Sequence, residues 1–225
     1  MDGADLATLL ARGLPGTALA LFLADELALA LGAVHGLTDD EGRPLGVVHR
    51  GVTPANVLVS RLGEVKLADC GIAKATLLRD TTRAGVRKGT YACMSPEQVR
   101  GGALSPASDF FSLGTTLHEL LTGTRPFDGD TPLETMDRVR EARLGPLEEV
   151  EPDVRPLLRA CLTRKPEERV GSAEAFRALL GLLRRARPEA GPFELARWVR
   201  GSAAQPTQAR RPAETVLEEG EVEEP

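Results

Sequence analysis

His49-Arg50-Gly51-Val52-Thr53-Pro54-Ala55-Asn56, followed thirteen positions after Asn56 by Asp69-Cys70-Gly71, is the stretch that decides how this 225-residue chain folds. Between the two strings lie Val57-Leu58-Val59 and Val65-Lys66-Leu67, short apolar runs of strand character. They flank Arg61-Leu62-Gly63-Glu64, which has the length and chemistry of a hairpin turn. A hairpin ties the loops at its two ends together, so Asn56 and Asp69 become oxygen donors on adjoining loops. A hard cation such as Mg²⁺ is held by oxygen ligands, usually one or two from protein plus phosphate oxygens and water. Either residue alone reads as a turn residue. Together, in this order and at this spacing, they read as a metal pair.

Two further strings extend the pattern outward. Gly89-Thr90-Tyr91-Ala92-Cys93-Met94-Ser95-Pro96-Glu97 closes a long stretch, residues 74–102, with little periodicity. Ser108-Asp109-Phe110-Phe111-Ser112-Leu113-Gly114 opens a helix expected over 109–121, with Phe110, Leu113, Leu117 and Leu120 at near-helical spacing. The four strings together resemble the C-terminal lobe of the eukaryotic-like bacterial Ser/Thr protein kinases. His-Arg-Gly-x-x-x-x-Asn is similar to the catalytic-loop H-R-D-x-x-x-x-N, and Asp-Cys-Gly to the metal-binding D-F-G. Met94-Ser95-Pro96-Glu97 resembles the A-P-E that ends the activation segment. The resemblance implies that Asn56 and Asp69 hold Mg²⁺ and, with Thr53, lie beside the phosphates of ATP. It also implies that Asp109 holds the catalytic-loop backbone, that His49 packs beneath the metal loop, and that Glu97 pairs with Arg169. Arg50 corresponds to the arginine that reads a phosphate on the activation segment, which here carries Thr81, Thr82, Thr90 and Glu97. Thr81 and Thr82, beside Arg79 and Arg83, read either as phosphosites or as part of a polar loop. His35 and His118 read as packed or solvated helix residues.

The departures weigh as much as the matches. Gly51 stands where the family has its catalytic aspartate, so no catalytic residue is intact. Glycine cannot accept a hydroxyl proton, and a positioned general base typically contributes about 10²–10⁴-fold. Thr53 replaces a phosphate-contacting lysine, Cys70 a phenylalanine and Cys93 a tyrosine. The chain contains no G-x-G-x-x-G string and no V-A-I-K-like strand lysine, and Met1-Asp2-Gly3-Ala4-Asp5-Leu6 resembles the segment that leaves the small lobe. The expected fold is therefore mainly α with a few short β-strands, a kinase-like C-lobe lacking the N-lobe. The expected function is that of a truncated, catalytically impaired Ser/Thr kinase homologue, a pseudokinase of the transferase family acting in signalling through protein contacts. Binding of Mg²⁺ and ATP is expected to be weak or absent. The alternative is a working Ser/Thr kinase whose small lobe comes from upstream sequence or another chain, and a third reading is a gene remnant. Apolar surface near Leu6, Val57, Leu58 and Cys70 is expected to face water and to call for a protein partner or self-association.

The remaining sequence fits a soluble helical protein. Hydrophobic residues make up 42% and aromatics 4%, which predicts an aliphatic core. A net charge of −5 excludes nucleic-acid binding by bulk electrostatics. Three widely spaced cysteines form neither a zinc pattern nor a disulfide framework and suit the cytoplasm. The apolar run 17–35 has Asp25 and Glu26 near its middle, which favours a buried helix over a membrane span. Asp5 is a candidate N-cap for a short helix through Leu6, Leu9 and Leu10. Further helices are expected over 133–143, 153–162 and 173–187, and Val47-Val48 reads as extended. The kinase-like domain is expected over 1–183, a short basic linker or helix around Phe193, Leu195 and Trp198 over 184–200, and a disordered acidic tail over 201–225.

Overall fold

The computed structural model describes residues 2–70, 91–187 and 190–203. Gly71, the three activation-segment threonines Thr81, Thr82 and Thr90, and the acidic tail from residue 204 lie outside the described residues. Near the N-terminus the Asp5 carboxylate accepts from Thr8 N and Thr8 Oγ1, both at 2.8 Å, and so starts helix α1 (Leu6–Leu10). Just before it, β1 (Gly3–Asp5) runs antiparallel to β2 (Val57–Ser60), which pairs on its other side with β3 (Val65–Leu67). Ala4 lies opposite Val59, and Leu58 opposite Lys66. The β2–β3 hairpin is the one expected. Strand β1 was not legible, because Gly-Ala-Asp has little intrinsic strand preference and is held by pairing with residues far along the chain. Val47 and Val48 belong to no strand; Val48 is buried in the loop that leads to the site.

Helix α2 (Thr17–His35) is apolar on nearly every side because it packs between two others, α4 (Pro106–Thr122) and α7 (Ala173–Arg185). It has the length and composition of a membrane span, but its one buried acid, Asp25, is paired by Arg177 and Arg184 of α7. Helix α4 begins three residues earlier than the apolar spacing indicates. Pro106 takes the first helical position, and Ser105 and Ser108 form a reciprocal capping box. Gly123, with φ 74°, ends it. A short α3 (Pro96–Arg100) precedes α4, and α5 (Pro132–Glu141) and α6 (Arg155–Cys161) lie between α4 and α7.

The core is mainly aliphatic, as expected, with a few phenylalanines packed within it. Phe110, Phe111, Phe127 and Phe176 are fully buried, with Phe111 stacked on Phe127 at 5.4 Å and Phe110 against Phe176 at 5.7 Å. Two expectations are corrected here. Leu6 and Val57 do not face water: both are fully buried in the core, because α1 folds back beside the strands. Leu58 is only half-buried and Cys70 is exposed, so the apolar surface at that end is smaller than expected. The segment expected as a short linker or helix carries α8 (Pro192–Ala203), which packs on β2 and buries Leu195, Ala196 and Val199. Phe193 is exposed.

Candidate functional site

The site is assembled around one buried carboxylate. Because α4 starts at Pro106, Asp109 falls in its first turn with its side chain inside the molecule. Its Oδ2 accepts from the His49 backbone N at 2.7 Å, and its Oδ1 accepts from the Arg50 backbone N at 2.8 Å. His35 Nε2, at the end of α2, lies 2.7 Å from the same Oδ2. Three groups from two distant segments thus hold one acid, and the acid holds the loop. Arg50 is left at φ 65°, a left-handed backbone that a non-glycine residue keeps only where its surroundings impose it.

Beyond Arg50 the loop is fixed from three more directions. Gly51 N donates to His49 Nδ1 at 3.3 Å, Asn56 Nδ2 donates to the Gly51 carbonyl at 2.7 Å, and Gln98 Nε2 donates to the Arg50 carbonyl at 3.2 Å. Asp69, at φ 56° and exposed, follows Ala68, whose N donates to the Asn56 carbonyl at 2.8 Å. Gly51 is buried at the meeting point: a β-carbon there would lie 3.2 Å from Asn56 Nδ2 and 3.4 Å from the Asp69 carbonyl oxygen. Its φ is not positive, so the backbone does not require glycine. Thr53 is half-buried at the entrance to the short turn Pro54–Asn56, and its side chain makes no capping bond.

Glu97 and Arg169 meet below this loop. The pair is bidentate, Nη1–Oε1 and Nη2–Oε2 both 2.8 Å, with Ser108 Oγ donating to Oε1 at 2.7 Å. Arg169 also donates to the carbonyls of Ala107 and Arg164, and its guanidinium lies 4.9 Å from the centre of the Phe111 ring. Burial raises the Glu97 carboxyl, but the Arg169 and Ser108 hydrogen bonds outweigh it and hold the group below its ordinary value. The neighbouring Gln98 links the pair to the loop. Ser95 and Gln98 form a capping box on α3, Ser95 N donating to Gln98 Oε1 at 2.8 Å, which leaves Nε2 for Arg50. Gln98 was missed in the sequence, although Ser-x-x-Gln ahead of an apolar residue is a helix-start signal. The contact of His35 with Asp109 spans 74 positions and left no local signal.

The structure thus brings His49, Arg50, Gly51, Asn56, Asp69 and Asp109 together. Asn56 and Asp69 lie on adjoining loops, and the described residues include no cluster of three or more His, Cys, Asp or Glu side chains. Burial pushes Cys93 and Cys161 up to about 12, far from thiolate chemistry.

Residues 1–179 match the family model described as "Protein kinase domain". The chain is 41% identical over 155 residues to "Tyrosine-protein kinase MasK" of Myxococcus xanthus, an alignment covering 67% of this chain and 24% of that protein. It is 40% identical over 137 residues to "Serine/threonine-protein kinase PknL" of Mycobacterium tuberculosis, covering 59% and 34%. It is 37% identical over 150 residues to "Serine/threonine-protein kinase PknA" of the same species, covering 66% and 35%. The chain therefore spans between a quarter and about a third of the length of these relatives.

Proposed function

The chain belongs to the protein kinase domain family, and on that premise we propose that it is a Ser/Thr kinase homologue impaired in phosphoryl transfer. In this reading it acts through contacts with other proteins in the cytoplasm, without nucleic acid or membrane, and keeps a weak affinity for Mg²⁺ and ATP. The observation that carries the reading is Gly51, buried between Asn56 and Asp69 where a hydroxyl proton would have to be accepted. No side chain is present at that position to accept it. This chain also contains no glycine-rich string or strand lysine to hold the phosphates from above. Phosphoryl transfer relies on positioning and charge neutralisation, and the loss of a base at position 51 falls on the first of these.

The donor set fits a hard cation. The Asn56 amide nitrogen is committed to the Gly51 carbonyl, which leaves Oδ1 as an acceptor. The Asp69 carboxylate is exposed and has no hydrogen-bond or ion-pair partner among the described residues. Bound there, Mg²⁺ would neutralise phosphate charge and orient the nucleotide. Asp109, His35 and Gln98 keep the loop in place around that pair without touching a ligand themselves. Two measurements test the reading. Mg²⁺ and ATP together should raise the melting temperature slightly, and Asp69→Asn should abolish the rise. Incubation with labelled ATP, Mg²⁺ and a generic basic protein should leave the label at background, and incorporation well above it would overturn the proposed impairment.

A second reading, a working Ser/Thr kinase whose small lobe is supplied by upstream sequence or another chain, draws on the intact anchoring of the loop by Asp109. It also draws on the greater length of the relatives. It predicts transfer once such a lobe is present, even with Gly51 in place.

A further inference from the structure

Away from this site, a cavity of about 440 Å³ opens between α2 and α7. Its floor is apolar, with Leu21 and Leu180, and its rim carries Arg177, Arg184, Arg185 and Arg187. Asp25 is the one carboxylate that lines it, and two of the four guanidiniums, Arg177 and Arg184, already share it. Arg187 is held from outside the rim by Glu151 at 2.6 Å and Asp153 at 2.7 Å, and its buried Nε has no acceptor among the described residues. Arg185 is exposed and makes no ion pair among the described residues. The cavity is of ligand-binding size, and its lining has cationic donors in excess of its acceptors.

We propose that this arginine-rimmed cavity is the docking site of the chain's own acidic C-terminal segment, residues 214–224. That segment carries six glutamates with Val216 and Leu217 set among them, an acidic and apolar pattern that complements a cationic rim over an apolar floor. The chain also has the reach. Ala190 lines the cavity, and the twelve residues of α8 that follow have a rise of about 18 Å. The eleven residue steps from Ala203 to Glu214 extend up to about 36 Å, more than the length of α8. A tether of this kind supplies an effective concentration in the millimolar range, so several individually weak ion pairs suffice to populate the docked state.

The test uses the full chain with a nitroxide spin label at position 215, attached through Thr215→Cys in a Cys70→Ser background. Cys93 and Cys161 are buried and do not take the label. At about 20 mM salt the label should broaden the side-chain N–H signals of Arg177, Arg184 and Arg185, and at about 0.5 M salt the broadening should disappear. Arg185→Glu, and separately replacement of all six glutamates by glutamine, should each remove most of it at low salt. Three results would overturn the proposal: no selective broadening at these arginines, broadening that survives Arg185→Glu, or broadening seen only between differently labelled chains in a mixed sample.

Discussion

At the scale of single residues, the buried acids divide the labour of the site. Asp109 holds backbone, and Glu97 holds Arg169. Removing one side of a buried ion pair strands the other charge and costs roughly 3–5 kcal/mol. Arg169→Ala is therefore expected to lower the urea unfolding midpoint strongly, since the Arg169 side chain is fully buried. Arg200→Ala, which removes an exposed bond to the Arg61 carbonyl, should shift it little. Equal small shifts would count against the role given to Glu97 and Arg169. The acid side of the stability curve should show two losses. Burial is the main influence on His118 and, against the pull of the Thr124 carbonyl, takes its pKa below the ordinary 6.5. The unfolded chain then binds that proton first, so stability falls as pH drops below about 6.5. Glu97 is depressed from 4.5 in the fold, so its contribution is present above that pH and is lost as pH falls through the lower, folded value. Equilibrium unfolding across pH 3–8 should show both phases, and His118→Gln should remove only the upper one.

At the scale of elements, what the sequence disclosed depended on whether the signal was local. Helix α1 was legible from Asp5, and the β2–β3 hairpin from its turn, because cap and turn chemistry lie within a few residues. The start of α4 was misplaced by three positions, since a search for apolar spacing passes over the Ser105 capping box and Pro106. Strand β1 and the anchoring role of α8 depend on partners more than fifty positions away and had no local mark. The junction of hairpin and α8 turns on Gly63. It sits at φ 85°, and a β-carbon there would come 1.9 Å from the Pro192 carbonyl oxygen. Gly63→Ala should lower the melting temperature markedly, since the left-handed backbone alone costs a non-glycine residue about 1–2 kcal/mol. Gly201, inside α8 with open space around it, gives the opposite expectation: Gly201→Ala should stabilise by up to about 1 kcal/mol. If Gly201→Ala had no effect while Gly63→Ala destabilised, α8 would contribute through its first turn alone.

At the scale of the whole molecule, the chain keeps a loop of the kinase domain family anchored by Asp109, and the proposed impairment rests on Gly51 within that loop. The loop residues Asn56 and Asp69 and the anchor Asp109 could be singled out because each lies in a short string of fixed order. His35 and Gln98 were not, because their contacts exist only once α2, α3 and α4 have packed. Gly51 is the position where framework and chemistry part. A β-carbon there needs the Asn56 amide to give by a few tenths of an ångström, which an alanine or aspartate at position 51 would both require. The direct measurement is label transfer from Mg²⁺-ATP to a generic basic protein by the unmodified chain and by Gly51→Asp, side by side. Both should remain at background, the second because a base alone restores neither a glycine-rich loop nor the lysine. Robust transfer by the unmodified chain would contradict the account.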